Sequence, residues 1–193
     1  MTMNINTTQE IIIAGFGGQG VLSMGQIIAY AAMEGQKEVS WMPSYGPEMR
    51  GGTANCTVIV SDSRISSPIV TKFDTAIVLN QPSVDKFENA VKPGGILIYE
   101  KSTIIRPPVR KDIEVLALAG IEEAQKLKSK QVANMVLLGA FLELRPIVKM
   151  EHVLRALHSV LPPHRQQLIP LNEQALVRGK ELALEAAAEM AVR

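Results

Sequence analysis

The sequence predicts an α/β class, a three-layer α/β/α sandwich with a mixed, mostly parallel sheet and a helical C-terminal part. Three observations carry it. Strand-like and helix-like segments alternate through the first two-thirds of the chain. The apolar run Ile11-Ile12-Ile13-Ala14 feeds directly into Gly15-Phe16-Gly17-Gly18-Gln19-Gly20, a Rossmann-like first β-α unit. Pro93-Gly94-Gly95 then separates a second helix-like stretch from another apolar run, which reads as a further β-α-β unit.

In chain order, β-branched residues before the first glycine mark a buried strand. Residues 21–34, rich in Leu, Ile, Met and Ala, form a helix that stops at Gly35. Residues 38–42 form a short strand ended by Pro43. Along 53–62, Ala54, Cys56, Val58 and Val60 share one face. The other carries Thr53, Asn55, Thr57 and Ser61, with Ile59 as the exception, which predicts a half-exposed strand. Asp62-Ser63 reads as a turn into 64–67, an antiparallel hairpin that makes the sheet mixed. Strands follow at 73–79, 95–99 and 113–119, with a helix at 83–91. Helices then occupy 120–127, 131–144, 150–161 and 171–191. The helix at 131–144 is apolar nearly all round and must be covered on every side, as a central core helix or against another subunit.

A chain of 193 residues is most simply one domain, 1–193, able to bury a sizeable core. One cysteine, Cys56, supplies neither a disulfide nor an iron–sulfur or metal site. Lys+Arg 20 against Asp+Glu 19 leaves a charge of +1, and no basic stripe interleaves with aromatic residues, which argues against nucleic acid. The first ten residues lack the pattern of a secretory signal, and no apolar run approaches the ~20 residues that span a bilayer. The expectation is a cytoplasmic protein without a membrane partner.

Gly15, Gly17 and Gly20 match the G-x-G-x-x-G spacing that cradles phosphate at a helix N-terminus. A nicotinamide site also needs an acid at the end of the second strand, and Ser40-Trp41-Met42-Pro43-Ser44 contains none. In its place stands Pro43-Ser44-Tyr45-Gly46-Pro47-Glu48-Met49-Arg50-Gly51-Gly52, whose Arg50 offers a fixed positive charge and whose Gly51 and Gly52 allow close backbone approach. The candidate cofactor-binding residues are therefore Gly15, Gly17, Gly18, Gln19, Gly20, Arg50, Gly51 and Gly52. The same glycines also serve a tight turn that only packs or touches another subunit, and the residues leave both readings open.

No catalytic residue or metal ligand is assigned. Glu48 reads as a partner of Arg50 or a subunit contact, and Cys56 as a buried thiol. His152, His158 and His164, six apart, do not share a helical face. Trp41 and Tyr45 read as core filling, Asp74 as a local cap, and 122–130 as a solvated helix face. Pro107-Pro108 and Pro162-Pro163 stiffen loops.

Four blocks in order, Gly15–Gly20, Ser44–Gly52, Phe73-Asp74-Thr75-Ala76-Ile77-Val78-Leu79-Asn80 and Pro93-Gly94-Gly95, resemble the gamma subunit of 2-oxoacid:ferredoxin oxidoreductases across most of the chain. The resemblance implies one subunit of a complex that oxidatively decarboxylates a 2-oxoacid, passes electrons to ferredoxin or a similar acceptor and transfers the acyl group to coenzyme A. It implies thiamine diphosphate and iron–sulfur clusters on other subunits, with alpha, beta and in some complexes ferredoxin-like delta chains as partners. It gives the glycine loops a part in the coenzyme A crevice, leans toward 2-oxoglutarate, and leaves the isolated chain inactive and prone to self-association. The alternative from a different class is a self-sufficient dinucleotide-binding enzyme or sensor.

Overall fold

The computed structural model describes residues 8–44 and 53–191. A six-stranded sheet runs through them in the order β2-β3-β1-β4-β5-β6. Its strands are β1 (Thr8–Phe16), β2 (Glu38–Ser44), β3 (Thr53–Ser61), β4 (Phe73–Val78), β5 (Val91–Glu100) and β6 (Glu114–Leu118). β1, β4, β5 and β6 are mutually parallel, while β3 lies antiparallel between β1 and β2. The helices are α1 (Val21–Glu34), α2 (Gln81–Phe87), α3 (Gly120–Lys126), α4 (Ala133–Leu144), α5 (Met150–Val160) and α6 (Ile169–Ala191). Among the described residues no helix is long and apolar enough to cross a membrane.

The inner strands β1, β3 and β4 are buried on both faces, which is why β1 reads as a continuous apolar run, whereas the edge strand β2 is exposed or half-buried throughout. Ile11 and Ile13 join Ile77, Ile96 and Ile98 in one core beneath α1 and α3 to α6, whereas Ile12 and Ala14 join Val78, Leu97 and Tyr99 in another. The layers are unequal. The second face is roofed by one short helix, α2, and by the segments 62–72 and 101–113, on which Ile69, Ile105 and Val109 stand exposed.

α4 is the central helix of the thick layer. Its Val136, Leu137, Leu138, Ala140 and Phe141 are all fully buried, so its uniform apolarity is used within this chain. It crosses α6 at two glycines. A Cβ on Gly139 would fall on the Leu176 carbonyl, and one on Gly179 on the Val136 carbonyl. At one flank of α6 Arg178 pairs with the buried Glu123 of α3 at 2.7 Å, and with Glu181 and Glu185 of its own helix at 2.9 Å each.

Several sequence expectations are corrected here. No hairpin forms at 62–67; the antiparallel element is β3 itself, paired with β2 and β1. Flanked by strands on both edges, β3 is not half-exposed, and Asn55, Thr57, Ile59 and Ser61 are buried. Pro43 does not end its strand: it sits opposite Cys56 in β2, an edge strand where a missing N–H is tolerated. The helix expected at 83–91 starts at Gln81 instead, because the Asn80 side chain accepts from Ser83 N and Pro82 fits the first turn. It gives way to a 3-10 turn at Glu88–Ala90, and Pro93-Gly94-Gly95 lies inside β5, where the register against β4 shifts. Asp74 is no local cap; its carboxylate accepts from Glu10 N of β1 at 2.9 Å and from Lys92 of β5 at 2.8 Å, tying three strands. Within 122–130 Glu123 is buried rather than solvated, held by Lys126 and Arg178. Trp41 packs against the larger core, while Tyr45 and Glu48 lie outside the described residues.

Candidate functional site: the glycine turn

β1 ends at Phe16 and α1 begins at Val21, so the connection is four residues, Gly17 to Gly20. Gly18 (φ +90) and Gly20 (φ +76) lie in the left-handed region, where a side chain is strained. Gly20 also sits against the Asn134 amide, which donates from Nδ2 to Gly20 O at 3.3 Å, and a Cβ there would strike it. Gly17 faces open space, with nothing within 4 Å of where a Cβ would be.

Gln19 closes the turn from inside. Its Oε1 accepts from Phe16 N at 2.6 Å, its Nε2 donates to Leu79 O at 3.2 Å, and its own N–H donates to Phe16 O at 3.2 Å. The side-chain amide expected to meet a ligand or a neighbouring subunit is thus committed to holding β1 against the end of β4. Gly15 lies buried beneath it, where a Cβ would meet Gln19 Oε1 at 2.7 Å and Leu79 Cβ at 2.9 Å.

What the turn leaves open is the start of α1. Its N-cap is a glycine without a side chain, no side chain caps it, and no acid occupies its first turn. Unpaired N–H groups and the helix dipole therefore face outward, an arrangement that favours an anion. Three hollows meet at Gly18. One, of about 230 Å³, runs along Gly17, Val21, Ser23 and Arg165. A second, about 190 Å³, is lined by Gly20, Ser23, Asn134, Arg165 and Asn172. The third, about 170 Å³, lies between Gln19, Leu79, Glu100, Ile121, Lys130 and Asn134. Glu100 is the only carboxylate among their described lining residues. It is fully buried, with Oε1 accepting from Ser102 N and Oε2 from Ile121 N, both at 3.0 Å. Such a group fixes β5 to α3 and is not free to act as a base. Among the described residues these walls hold backbone donors and two cations, Lys130 and Arg165, groups that suit an anion.

Of the sequence candidates, Gly17, Gly18, Gln19 and Gly20 line the hollows, Gly15 and the Gln19 amide hold the turn from within, and Arg50, Gly51 and Gly52 lie outside the described residues. Asn134, Lys130 and Arg165 were not singled out. Asn134 had a signal, as the polar residue in an apolar helix, whereas Arg165 had none. No carboxylate stands at the described end of β2, Met42-Pro43-Ser44, so the ribose contact of a nicotinamide site is missing there. Cys56 is fully buried in β3, and burial pushes its thiol up to about 12, which suits neither a nucleophile nor a cluster ligand. Another hollow, of about 770 Å³, lies at the C-terminal end of α1, between Gly35, Gly139, Ile147, His152 and Lys180.

A parallel-centred sheet with an uncapped helix at a glycine turn is the arrangement of an α/β domain of the doubly wound type. The chain belongs to the pyruvate ferredoxin/flavodoxin oxidoreductase family, which it matches over residues 10–182. It is 38% identical over 176 residues to the ketoisovalerate oxidoreductase subunit VorA of Methanothermobacter thermautotrophicus, covering 91% of this chain but 36% of that protein. To the 2-oxoglutarate synthase subunit KorC of Methanocaldococcus jannaschii it is 34% identical over 185 residues, covering 94% of this chain and 97% of the relative. Among solved structures it is similar to the gamma subunit of a keto/oxoacid ferredoxin oxidoreductase from Geobacter sulfurreducens, with TM-score 0.79, 32% identity, and coverage of 92% and 99% of the two chains. It is also similar to part of the 2-oxoglutarate:ferredoxin oxidoreductase of Magnetococcus marinus, solved with 2-oxoglutarate, coenzyme A and succinyl-CoA bound, with TM-score 0.82, 26% identity, and coverage of 92% of this chain and 31% of that one. The chain thus spans about a third of the VorA relative and nearly all of the stand-alone gamma chain.

Proposed function

We propose that this chain forms one wall of the crevice in which coenzyme A meets the reaction centre of a cytoplasmic complex that oxidatively decarboxylates a 2-oxoacid, with 2-oxoglutarate as substrate. The observation that carries this reading is the uncapped start of α1 at a turn whose Gly17 and Gly18 would present only hydrogen to an approaching phosphate. A coenzyme A bound there supplies the thiol that accepts the acyl group. The chain's own part is to hold the phosphates on backbone N–H groups of Gly17, Gly18, Gly20 and the first turn of α1, while Gln19 keeps the turn in shape from below. Arg50, Gly51 and Gly52 of the following loop complete the wall in this reading.

Thiamine diphosphate and the iron–sulfur clusters are assigned to partner alpha and beta chains, with electrons leaving to ferredoxin. Cys56, buried and held as the thiol, is unsuited to ligate a cluster. A partner-facing side is supported by Ile69, Ile105 and Val109, exposed together with the thin layer over the second core. The relatives are named for different 2-oxoacids, and the pocket for the substrate side chain is proposed to lie on other subunits. The test is a coenzyme A titration of the assembled complex carrying Gly17→Val or Arg50→Ala, with 2-oxoglutarate, pyruvate and ketoisovalerate compared as substrates. Gly17→Val fills space that is empty in this chain, so it is expected to raise KM for coenzyme A several-fold while assembly is retained. An unchanged KM in both variants refutes the crevice, and preferred turnover of another 2-oxoacid refutes the substrate.

A further inference from the structure

The second face of the sheet is thinly covered. Sheets of mostly parallel strands are ordinarily roofed by helices on both sides, yet over this core stand only α2 and the segments 62–72 and 101–113. From that cover Ile69, Ile105 and Val109 project into water, 72%, 88% and 82% exposed. Two of them are held there. Gln81 Oε1, at the start of α2, accepts from Ile105 N at 3.0 Å and from Arg106 N at 2.8 Å. Glu88 Oε1, just past the end of α2, accepts from Val109 N at 2.8 Å and from Arg110 N at 3.1 Å. Pro107-Pro108 stiffens the chain between these anchors. The backbone thus presents two aliphatic side chains in fixed places, and little entropy is lost when something covers them.

Charge is distributed unevenly around them. Segments 62–72, 81–90 and 101–113 hold seven Lys and Arg against four Asp and Glu, a net +3 on a chain whose total is +1. All four acids are already committed. Lys37 holds Asp62, Arg106 holds Asp85, Arg110 holds Asp112, and Glu88 is taken by the two backbone N–H groups just described. Arg64, Lys101 and Lys111, by contrast, are exposed and have no ion pair among the described residues. Like charge opposes a two-fold pairing of this face with its own copy. Anchored aliphatic side chains among uncompensated cations instead fit a different surface, an apolar patch with an excess of Asp and Glu around it.

We propose that this face docks on another subunit of the oxidoreductase complex, through an acidic-rimmed apolar patch that receives Ile105 and Val109. The assignment rests on the subunit reading above and adds to it the anchoring residues and the charge of the partner. In VorA and in the Magnetococcus marinus protein the matching region is about a third of the chain, so further protein is joined to it there. A stand-alone chain has to make the equivalent contact between subunits.

The full chain is mixed with the separately purified remaining subunits of its complex, and association is followed by sedimentation at several ionic strengths. Ile105→Asp and Val109→Asp should each weaken association roughly tenfold or more. The unfolding temperature of the isolated chain should stay at the parent value in both, since these side chains are already in water. Lys111→Glu should weaken association several-fold and make its decline with added salt shallower than in the parent. Met33→Asp, at a position 62% exposed on α1, should associate as the parent does. Equal weakening by Met33→Asp overturns the choice of face. If the parent associates and the Ile105 and Val109 variants do so equally well, the docking face is wrong and the subunit reading stands. If the parent chain associates with none of the other subunits, the subunit reading itself fails. Self-association of the isolated chain that Ile105→Asp abolishes would make the occupant a second copy and overturn the proposal.

Discussion

Gly179→Ala tests whether the α4–α6 crossing sets the stability of the thick layer. The added methyl would fall on the Val136 carbonyl, with the Ala140 amide nitrogen at 2.9 Å, so the obstacle is backbone and no rotamer change relieves it. Alanine is worth about 1 kcal/mol over glycine inside a helix, which taken alone favours the substitution. Against it, overpacking costs about 1–3 kcal/mol where neighbours can shift. Here they cannot shift alone, because α4 also carries the fully buried Leu137, Leu138 and Phe141 into the core. A net loss of about 2 kcal/mol is expected at the upper end of that range. For a chain of this length that corresponds to a fall in Tm of roughly 4–8 °C. Gly139→Ala meets the Leu176 carbonyl in the same crossing, so the double variant should lose less than the sum, since one separation of the helices relieves both. Thermal unfolding followed by circular dichroism reads the effect. A Tm equal to or above that of the parent would show that the helices part freely and that the crossing is not tight.

Two further outcomes follow from charge and burial. The hydrogen bond from Lys126 and then that from Arg178 hold the Glu123 carboxyl below its ordinary value of 4.5, so the pair stabilises the fold above that pH and loses its effect as pH falls below it. Arg178→Met should therefore cost about 2 kcal/mol at neutral pH, with the gap to the parent in urea unfolding closing in acid; a gap that does not change with pH would contradict the pairing. Cys56, pushed up to about 12 by burial, should resist a water-soluble disulfide reagent in mildly alkaline buffer until the chain is unfolded. Reaction of the native chain at the rate of a free cysteine would show that β3 is not sealed as described.

Local pattern was sufficient wherever one element carried its own signal. The Ile11-Ile12-Ile13 run, the helix Val21–Glu34 that stops at Gly35, and the apolar core helix α4 were legible because burial on both faces, capping and all-round apolarity are written in adjacent residues. Pairing was not. The alternation in 53–62 was read as exposure, yet it reflects two differently composed buried faces of an interior strand, a property of its neighbours β1 and β2. Asp74 illustrates the same limit, since its partners Glu10 and Lys92 come from other strands. At the site, the glycines announced the turn but not its division of labour: Gln19 facing inward, Gly17 outward, and Arg165 arriving from far along the chain. Gly139 and Gly179 gave no warning of a helix crossing, because close approach is visible only when both helices are in place.

The inward-facing Gln19 also bears on how the turn meets a ligand. With its amide spanning Phe16 and Leu79, and Thr103 Oγ1 donating to the same Leu79 carbonyl at 2.8 Å, the turn is braced from two sides before anything binds. Its conformational entropy is lost when the chain folds and not when a ligand arrives, so a ligand's affinity is not reduced by the cost of ordering a loop. Preorganisation of this kind makes the bound and free shapes of the turn the same. Any adjustment between them falls to the side chains around its rim.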